Sequence, residues 1–168
     1  MQYLKLSAAE RAQLLDSLAA MPAYLRQQFA GLSAAEACRC LPEGAFSPVE
    51  QVWHLCDLER EGFAVRIRRL RDETLPQLPD FDGARVAQQR GYRSLSLSAG
   101  LEAFGAARAA TLAALRTLTA AAWMREGVQE GVGTVRLCDM PVFLLQHDQA
   151  HRLEVEEWQR LRRASAGG

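Results

Sequence analysis

The sequence has no net charge, no long apolar run and few histidines. Its 168 residues include 20 basic and 20 acidic side chains, so the formal net charge is zero. A balanced charge gives no electrostatic basis for binding nucleic acid, which attracts basic surfaces. No apolar run approaches the roughly 20 residues of a membrane-spanning helix, and the N-terminus lacks the apolar core of a signal peptide. We therefore expect a cytoplasmic protein without a nucleic-acid or membrane partner.

Several motifs of known chemistry are also missing. None of the four cysteines (38, 40, 56 and 138) forms a CxxC pair, so free thiols in a reducing compartment are expected. Cys56 lies on an apolar helical stripe, which favours a core position over a nucleophile. No Gly-rich phosphate loop, G-x-S-x-G string or His-Glu-x-x-His metalloprotease motif is present. The chemistry of the chain must come from another set of residues.

The apolar residues, about half of the chain, follow helical periods that predict one all-α domain over residues 1–168. Ser7 opens a capping box at the start of the first helix, and Gly31 ends that helix. Pro22 is expected to kink or restart it. A second capping box opens a short helical turn over residues 33–41.

Three further long helices are predicted, which together give a four-helix bundle. These helices run from Ser47 to about Arg71, from about Ser98 to Thr119 and from about Leu137 to 162–164. They are connected by an irregular stretch at 72–98 with a short helix over 83–90, and by a loop or small hairpin at 120–135. The long connection at 72–98 is either a lid over a site or a surface crossover.

The three histidines of the chain fall on two of these helices. His147 and His151 lie four residues apart on the apolar face of the fourth helix, which places their Cβ atoms about 5–6 Å apart. Both rings can then reach one metal ion, at metal–nitrogen distances of about 2.0–2.1 Å for zinc. His54 lies nearly opposite the main apolar stripe of the second helix, and the bundle would have to bring it to the pair. The alternative is that each is a core histidine with an ordinary hydrogen-bond partner.

Two charged residues are candidates for catalysis. Arg108 falls within the apolar arc of the third helix, so it needs a buried acid or an anionic ligand. Asp57, Glu61 and Glu154 are the candidate structural partners, and a substrate anion is the alternative. Glu61 lies two turns from His54 on the same side, which makes it either an acid–base residue beside the metal or a surface glutamate.

Three stretches of the chain carry short motifs in a set order. They are Pro22-Ala-Tyr-Leu followed by Gly31-Leu-Ser and Phe46-Ser-Pro-Val-Glu-Gln-Val-Trp-His54-Leu-Cys-Asp57-Leu-Glu59, then Trp123-Met-Arg-Glu-Gly127 with Gly133, and the closing His147-Asp-Gln-Ala-His151. Together these motifs resemble the DinB/YfiT-like superfamily. The resemblance covers most of the chain, and Phe46 stands where tryptophan is common in the family. It implies an up-down-down-up bundle, a metal site formed by His54, His147 and His151, and frequently a homodimer.

The same resemblance implies a function. The family includes thiol S-transferases that act with low-molecular-weight thiols and a thiol-dependent isomerase. The chain is thus expected to be a metal-dependent enzyme that activates a thiol or water, with a low-molecular-weight thiol and an electrophile as substrates. The alternative is a non-catalytic metal-binding bundle with a structural or stress-related interaction role. Three imidazoles suit zinc, nickel or iron.

A second, partly apolar strip on the fourth helix also predicts the homodimer. Val142, Leu145, Gln149 and Leu153 share a side away from the histidines, and a helix in a four-helix monomer needs only one buried stripe. A twofold partner would cover the strip of both chains. The alternative is that residues 33–41 or 72–98 cover it.

Overall fold

Four long helices make up most of the computed structural model, which describes residues 3–166. They are α1 (Ala8–Gln28), α3 (Pro48–Asp57, a π-helical segment Leu58–Phe63, and Ala64–Asp72), α5 (Leu97–Arg116) and α7 (Met140–Ala166). The short elements are α2 (Ala34–Ala37), α4 (Gly83–Arg90), α6 (Ala120–Trp123) and the strands β1 (Gln77–Leu78), β2 (Glu126–Gln129) and β3 (Gly133–Arg136), with single 3-10 turns at Tyr3–Lys5, Tyr92–Ser94 and Leu137–Asp139.

The directions of the long helices follow from pairs of contacts along their lengths. Gly100 lies against Val52, and Arg108, two turns further along α5, bonds Glu59 of α3, so α3 and α5 run the same way. The contacts Arg26 with Leu101 and Leu18 with Arg108 show that α1 and α5 run in opposite directions. The contacts Tyr24 with Arg152 and Gln28 with Gln159 show that α1 and α7 run the same way. Thus α1 and α7 point one way and α3 and α5 the other, which is the up-down-down-up order of the predicted bundle.

Pro22 lies inside α1, which continues through it, so of the expected kink or restart the restart is wrong and the kink stays a prediction. Proline has no N–H, so the carbonyl of Leu18, four residues earlier, loses its usual helical partner. Nη1 of Arg108 donates to that carbonyl at 2.9 Å. A side chain from a neighbouring helix therefore satisfies the buried group, and α1 continues through Pro22 to Gln28.

The middle of α3 is wound more widely than an α-helix. The N–H of Ala64 donates to the carbonyl of Glu59, five residues earlier, which is the bond of a π-helical turn. One extra residue in a turn changes the phase of every later residue by about 100° around the axis. The second half of α3 therefore presents different positions to the core from those that a regular period predicts.

The crossover at 73–96 and the segment at 120–136 are linked by a small sheet. The predicted hairpin is present: β2 pairs with β3 in antiparallel fashion, with Val128 opposite Thr134. In addition β1, from the crossover, pairs in parallel with β2, with Gln77 opposite Val128. The phenol of Tyr92 and the guanidinium of Arg90 both donate to the buried carboxylate of Asp57 at 2.6 Å, so the crossover is also fastened to α3.

The core consists of two apolar clusters separated by a polar layer. One cluster lies towards the sheet and includes Leu18, Ile67, Leu112 and Leu144; the other lies towards the opposite end and includes Met21, Leu55, Phe104 and Val155. Each long helix crosses from one cluster to the other. At that crossing the chain places the three histidines and the buried Arg108, Glu59 and Asp148.

One member of the predicted second strip on α7 does not belong to it. Val142 is buried and contributes to the core cluster next to the sheet, so it cannot form part of an outer strip. Leu145 is half-buried against the same cluster, whereas Leu153 is 68% exposed. Among the residues described, no helix is long and apolar enough to cross a membrane.

Candidate metal centre

The structure brings the three histidines together. His54 of α3 faces His147 and His151 of α7, and one ligand nitrogen from each lies within 4.8 Å of the others. The Nε2 atoms of His147 and His151 are 3.2 Å apart. The ring centroid of His54 is 5.5 Å from that of His147 and 5.1 Å from that of His151. No other set of three such ligands occurs within residues 3–166.

This arrangement fits a metal ion better than a set of core histidines. Two nitrogen ligands of a tetrahedral ion at about 2.0–2.1 Å lie roughly 3.3 Å apart, close to the observed spacing of the two Nε2 atoms. Nδ1 of His54 is buried and has no hydrogen-bond partner in the described part of the chain. A buried ring nitrogen without a partner is costly in a purely structural role.

His151 is oriented by two neighbours at its other nitrogen. Its Nδ1 lies 2.5 Å from Oε1 of Gln51 and 3.0 Å from a carboxylate oxygen of Glu154. Nε2 of Gln51 in turn donates to the same Glu154 oxygen at 2.6 Å. Gln51 is one turn before His54 on α3, so this network joins the two helices that carry the histidines.

The environment keeps two of the imidazoles neutral. Burial, with the neighbouring His151 as a second cause, lowers the pKa of His54 to about 4. Burial also lowers the pKa of His147 to about 3, with His151 and His54 as further causes. The hydrogen bond to His151 is the main cause that lowers the pKa of Glu154 to about 2. Neutral imidazole is the form that binds a metal, and an ionised carboxylate is the form that accepts a hydrogen bond.

The centre opens into a pocket of about 780 Å³. His54 and His151 contribute to its wall, and Gln51, Glu154 and Glu157 are its other polar side chains. The apolar wall is formed mainly by Leu41, Pro42, Ala45, Phe46 and Leu153. No lysine or arginine of the described residues lines it.

Helix α4 closes one side of the pocket through a very close approach. A Cβ atom built on Gly83, the first residue of α4, would lie 2.4 Å from Cε1 and 2.7 Å from Nδ1 of His54. Only glycine fits there without moving the ring. The predicted crossover at 72–98 therefore forms part of the pocket wall.

Arg108 has buried structural partners, but they differ from the predicted ones. It donates to Oε2 of Glu59 at 3.0 Å and to both carboxylate oxygens of Asp148 at 2.6 and 2.9 Å. The prediction of Asp57, Glu61 or Glu154 as partner is wrong, because these carboxylates have other partners. Asp57 and Glu61 bind Arg90, and Glu154 binds His151. Burial raises the pKa of Glu59, and the charge of Arg108 opposes that rise.

Glu61 lies outside the pocket wall. Its side chain is exposed on the surface of α3 and accepts a hydrogen bond from Arg90 at 2.7 Å. Arg108 does not line the pocket either. The structure thus gives neither residue a position from which to touch a substrate in this pocket, and their predicted catalytic roles stay predictions.

Four functional positions were missed by the sequence analysis. Gln51 and Glu154 hold His151, Gly83 packs on His54, and Asp148 binds Arg108 next to His147. The spacing of three residues between His151 and Glu154 is the one signal that could have indicated a contact on the same helix. The other contacts join residues distant in sequence.

Fold and site together define a four-helix bundle with a three-histidine centre, two of whose histidines line a pocket. Residues 17–155 match the family model of the DinB superfamily, and the chain belongs to that superfamily. Among curated protein sequences, none matches it significantly.

Solved structures that share the fold include the following two. YfiT from Bacillus subtilis, described as a probable metal-dependent hydrolase with an unusual four-helix bundle topology, matches with a TM-score of 0.85 and 18% identity over 94% of this chain and 90% of that one. A mycothiol-dependent maleylpyruvate isomerase matches with a TM-score of 0.71 and 16% identity over 92% of this chain and 63% of that one. At these identities the likeness shows the fold alone.

Proposed function

We propose that the chain is a metal-dependent enzyme in which His54, His147 and His151 hold a divalent ion. The ion activates a small nucleophile, for which a thiol is the first candidate. The observation that carries this proposal is the cluster of three histidines, two of which, His54 and His151, lie in the wall of an open pocket. A purely structural zinc site is closed by four protein ligands, whereas a catalytic one keeps a position open. Here the described residues offer three ligands and a pocket beside them.

The ion supplies the acidity that the side chains lack. A divalent ion held by three imidazoles lowers the pKa of a thiol or water that reaches its open position. The chain's own residues orient and shield this position. Gln51 and Glu154 hold the ring of His151, and Phe46 covers His54 with its ring centroid 5.3 Å away.

The choice of a thiol as nucleophile rests on the relatives. One solved structure with this fold is described as mycothiol-dependent, and the superfamily resemblance points to thiol S-transferases. The other is described as a probable hydrolase, which supports water as a second candidate nucleophile. Zinc, nickel and iron all suit a three-histidine site.

The negative charge of the pocket wall restricts which thiols the pocket can bind. Glu154 and Glu157 face the pocket, and no basic side chain of residues 3–166 lines it. Glu157 is paired with Arg160, so Glu154 is the negative charge without a basic partner in this wall. Like charges repel at close range. We propose that the thiol substrate is uncharged or cationic and that its electrophilic partner carries an apolar group suited to Phe46 and Leu41.

The test is a rate measurement on metal-loaded protein. Thiol loss is followed with 1-chloro-2,4-dinitrobenzene as electrophile and mercaptoethanol, cysteamine or mercaptoacetate as thiol, and ester hydrolysis is followed without thiol. We expect thiol transfer that requires the metal, is slowest with anionic mercaptoacetate, and disappears in the His147→Ala/His151→Ala variant. Metal-dependent hydrolysis alone would replace thiol by water as the nucleophile. Stoichiometric metal with neither activity would favour the non-catalytic alternative.

A further inference from the structure

Both groups next to Nδ1 of His151 are hydrogen-bond acceptors. Oε1 of Gln51 lies 2.5 Å from this nitrogen, and a carboxylate oxygen of Glu154 lies 3.0 Å from it. A neutral imidazole carries its single proton on one nitrogen and a lone pair on the other. Two acceptors on one side therefore require the proton at Nδ1.

The orientation of Gln51 is fixed by the same carboxylate. Glu154 can only accept, so the NH₂ group of Gln51 must point towards it, and the two atoms are 2.6 Å apart. The carbonyl oxygen of Gln51 then points to His151. If the amide were reversed, its oxygen would face the carboxylate oxygen and two acceptors would meet. Glu154 thus acts on His151 twice, once directly and once through Gln51.

We propose that Glu154 is the positioning residue of the metal centre, which holds His151 in the Nδ1–H tautomer so that its Nε2 lone pair points to His147 and the ion. The proposal rests on the metal site of the proposed function. Nε2 of His151 already lies 3.2 Å from Nε2 of His147, on the ring edge away from Glu154. A carboxylate that bonds the second nitrogen of a metal-binding histidine fixes its tautomer and orientation and raises its basicity.

The location of Glu154 separates this role from that of a ligand. Its bonded oxygen lies at Nδ1 of His151, whereas the nitrogen of His151 that faces His147 is Nε2, and Glu154 is absent from the ligand cluster of the described residues. Its bond to Gln51 also ties α7 to α3, one turn before His54. The carboxylate thereby holds ligands from two helices in one arrangement.

Glu157 provides a matched control. It lies one turn further along α7 and lines the same pocket, but its carboxylate bonds Arg160. Glu154→Gln and Glu157→Gln each remove one negative charge from the pocket wall. Only the first removes an acceptor from His151, so the comparison isolates the hydrogen bond from the charge.

The first measurement is the tautomer of His151 in metal-free protein, read from long-range ¹H–¹⁵N correlation spectra near pH 7.5. We expect the Nδ1–H tautomer in the wild type and in Glu157→Gln, and a mixture of both tautomers in Glu154→Gln. An Nε2–H tautomer in the wild type, or the same tautomer in all three proteins, would overturn the proposal. This readout does not depend on any activity.

The second measurement is the affinity for zinc, by competition with a chromophoric chelator. We expect Glu154→Gln to bind one equivalent at least tenfold more weakly than Glu157→Gln, within the range of about 10–100-fold that such partners contribute. A smaller difference would overturn the proposal, and so would a loss of binding as complete as in His147→Ala, which would make Glu154 a ligand. A wild type that binds no metal would instead contradict the proposed function.

Discussion

Replacing Arg108 by methionine tests the polar layer of the bundle most directly. Methionine has a similar length and no charge, so the variant removes the ionic partner without opening a large cavity. The side chains of Arg108, Glu59 and Asp148 are 2%, 2% and 3% exposed. The variant would leave two buried carboxylates and the buried carbonyl of Leu18 without their donor.

The expected cost is about 3–5 kcal/mol in the free energy of unfolding. This is the usual penalty when one partner of a buried ion pair is removed and the other stays. Hydrogen bonds to charged groups contribute about 1.5–3 kcal/mol each, but bonds in one network do not add, so the sum over four bonds would overstate the loss. With a total stability of about 5–15 kcal/mol, the variant should fold but be fragile.

The penalty should depend on pH in a defined direction. Burial raises the pKa of Glu59, and the positive charge of Arg108 opposes the rise. Without Arg108 the pKa of Glu59 in the folded state rises further above its unfolded value. A raised carboxyl pKa favours the folded state at low pH and disfavours it as pH increases. The difference in the free energy of unfolding between wild type and Arg108→Met should therefore become smaller as the pH is lowered from 8 to 5.5.

Pro22 provides a second, independent check. Pro22→Ala restores an N–H that can bond the carbonyl of Leu18, so that Arg108 is no longer its sole donor. Arg108→Met should then cost less in the Pro22→Ala background than in the wild type. The four proteins of this double-mutant cycle are compared by urea unfolding, followed by far-UV circular dichroism at both pH values.

The matched control removes the charges together. In Arg108→Met/Glu59→Gln/Asp148→Asn no uncompensated charge stays buried, so much of the lost stability should return. A cost of Arg108→Met below about 0.5 kcal/mol, the usual range for surface positions, would refute the account of a buried ionic layer. A penalty that stays constant from pH 8 to pH 5.5 would refute the role of the stranded carboxylates.

Three further predictions concern the pocket wall, the crossover and the assembly. Gly83→Ala should weaken zinc binding, because its Cβ would lie 2.4 Å from the histidine ring of α3. In the control Gly105→Ala the new Cβ meets only a flexible arginine, and the helix should gain up to about 1 kcal/mol of stability. Calorimetric zinc titration that gives equal affinities would contradict this. Tyr92→Phe should cost about 1.5–3 kcal/mol at pH 8, because it removes the bond to Asp57. Burial raises the pKa of Tyr92 in the folded state, so above pH 10 only the phenol of the unfolded chain ionises. The wild type should then lose its stability advantage over Tyr92→Phe by up to about 1.4 kcal/mol per pH unit in urea titrations. A stability difference that stays constant above pH 10 would contradict this prediction. We also propose a homodimer, for which light scattering should give twice the 18.6 kDa chain mass and Leu145→Glu the monomer with its metal content intact; Leu153 of the same strip lines the metal pocket and is therefore not used. A monomeric wild type would dismiss the dimer.

The parts of the molecule that sequence predicted well depend on local patterns. Capping boxes at Ser7 and Ser33 involve residues three apart, and the structure has both. His147 and His151 share a helical face by spacing alone. These features need no knowledge of how the helices meet.

The features that sequence missed depend on contacts across the bundle. The acidic partners of Arg108 lie on two other helices, α3 and α7. Arg108 of α5 is also the donor to the carbonyl of α1 that Pro22 leaves without a helical partner. No local pattern in the sequence reveals these contacts. The two residues of β1 are too few to show a strand period, and they gain their pairing only from β2. A regular period from His54 puts Glu61 on the side of the histidine, but the π-helical turn between them is not regular, and the structure has the alternative, a salt-bridged surface glutamate.

That wide turn, Leu58–Phe63, also limits how α3 can change in evolution. Deleting one residue there would restore an ordinary helix, with a regular ladder of backbone bonds. The deletion would nevertheless rotate Ile67 and Leu70, which pack near the sheet, by about 100° relative to His54. One of the two halves would then face the wrong neighbours. Related chains should therefore tolerate substitutions within this turn more readily than a change in its number of residues.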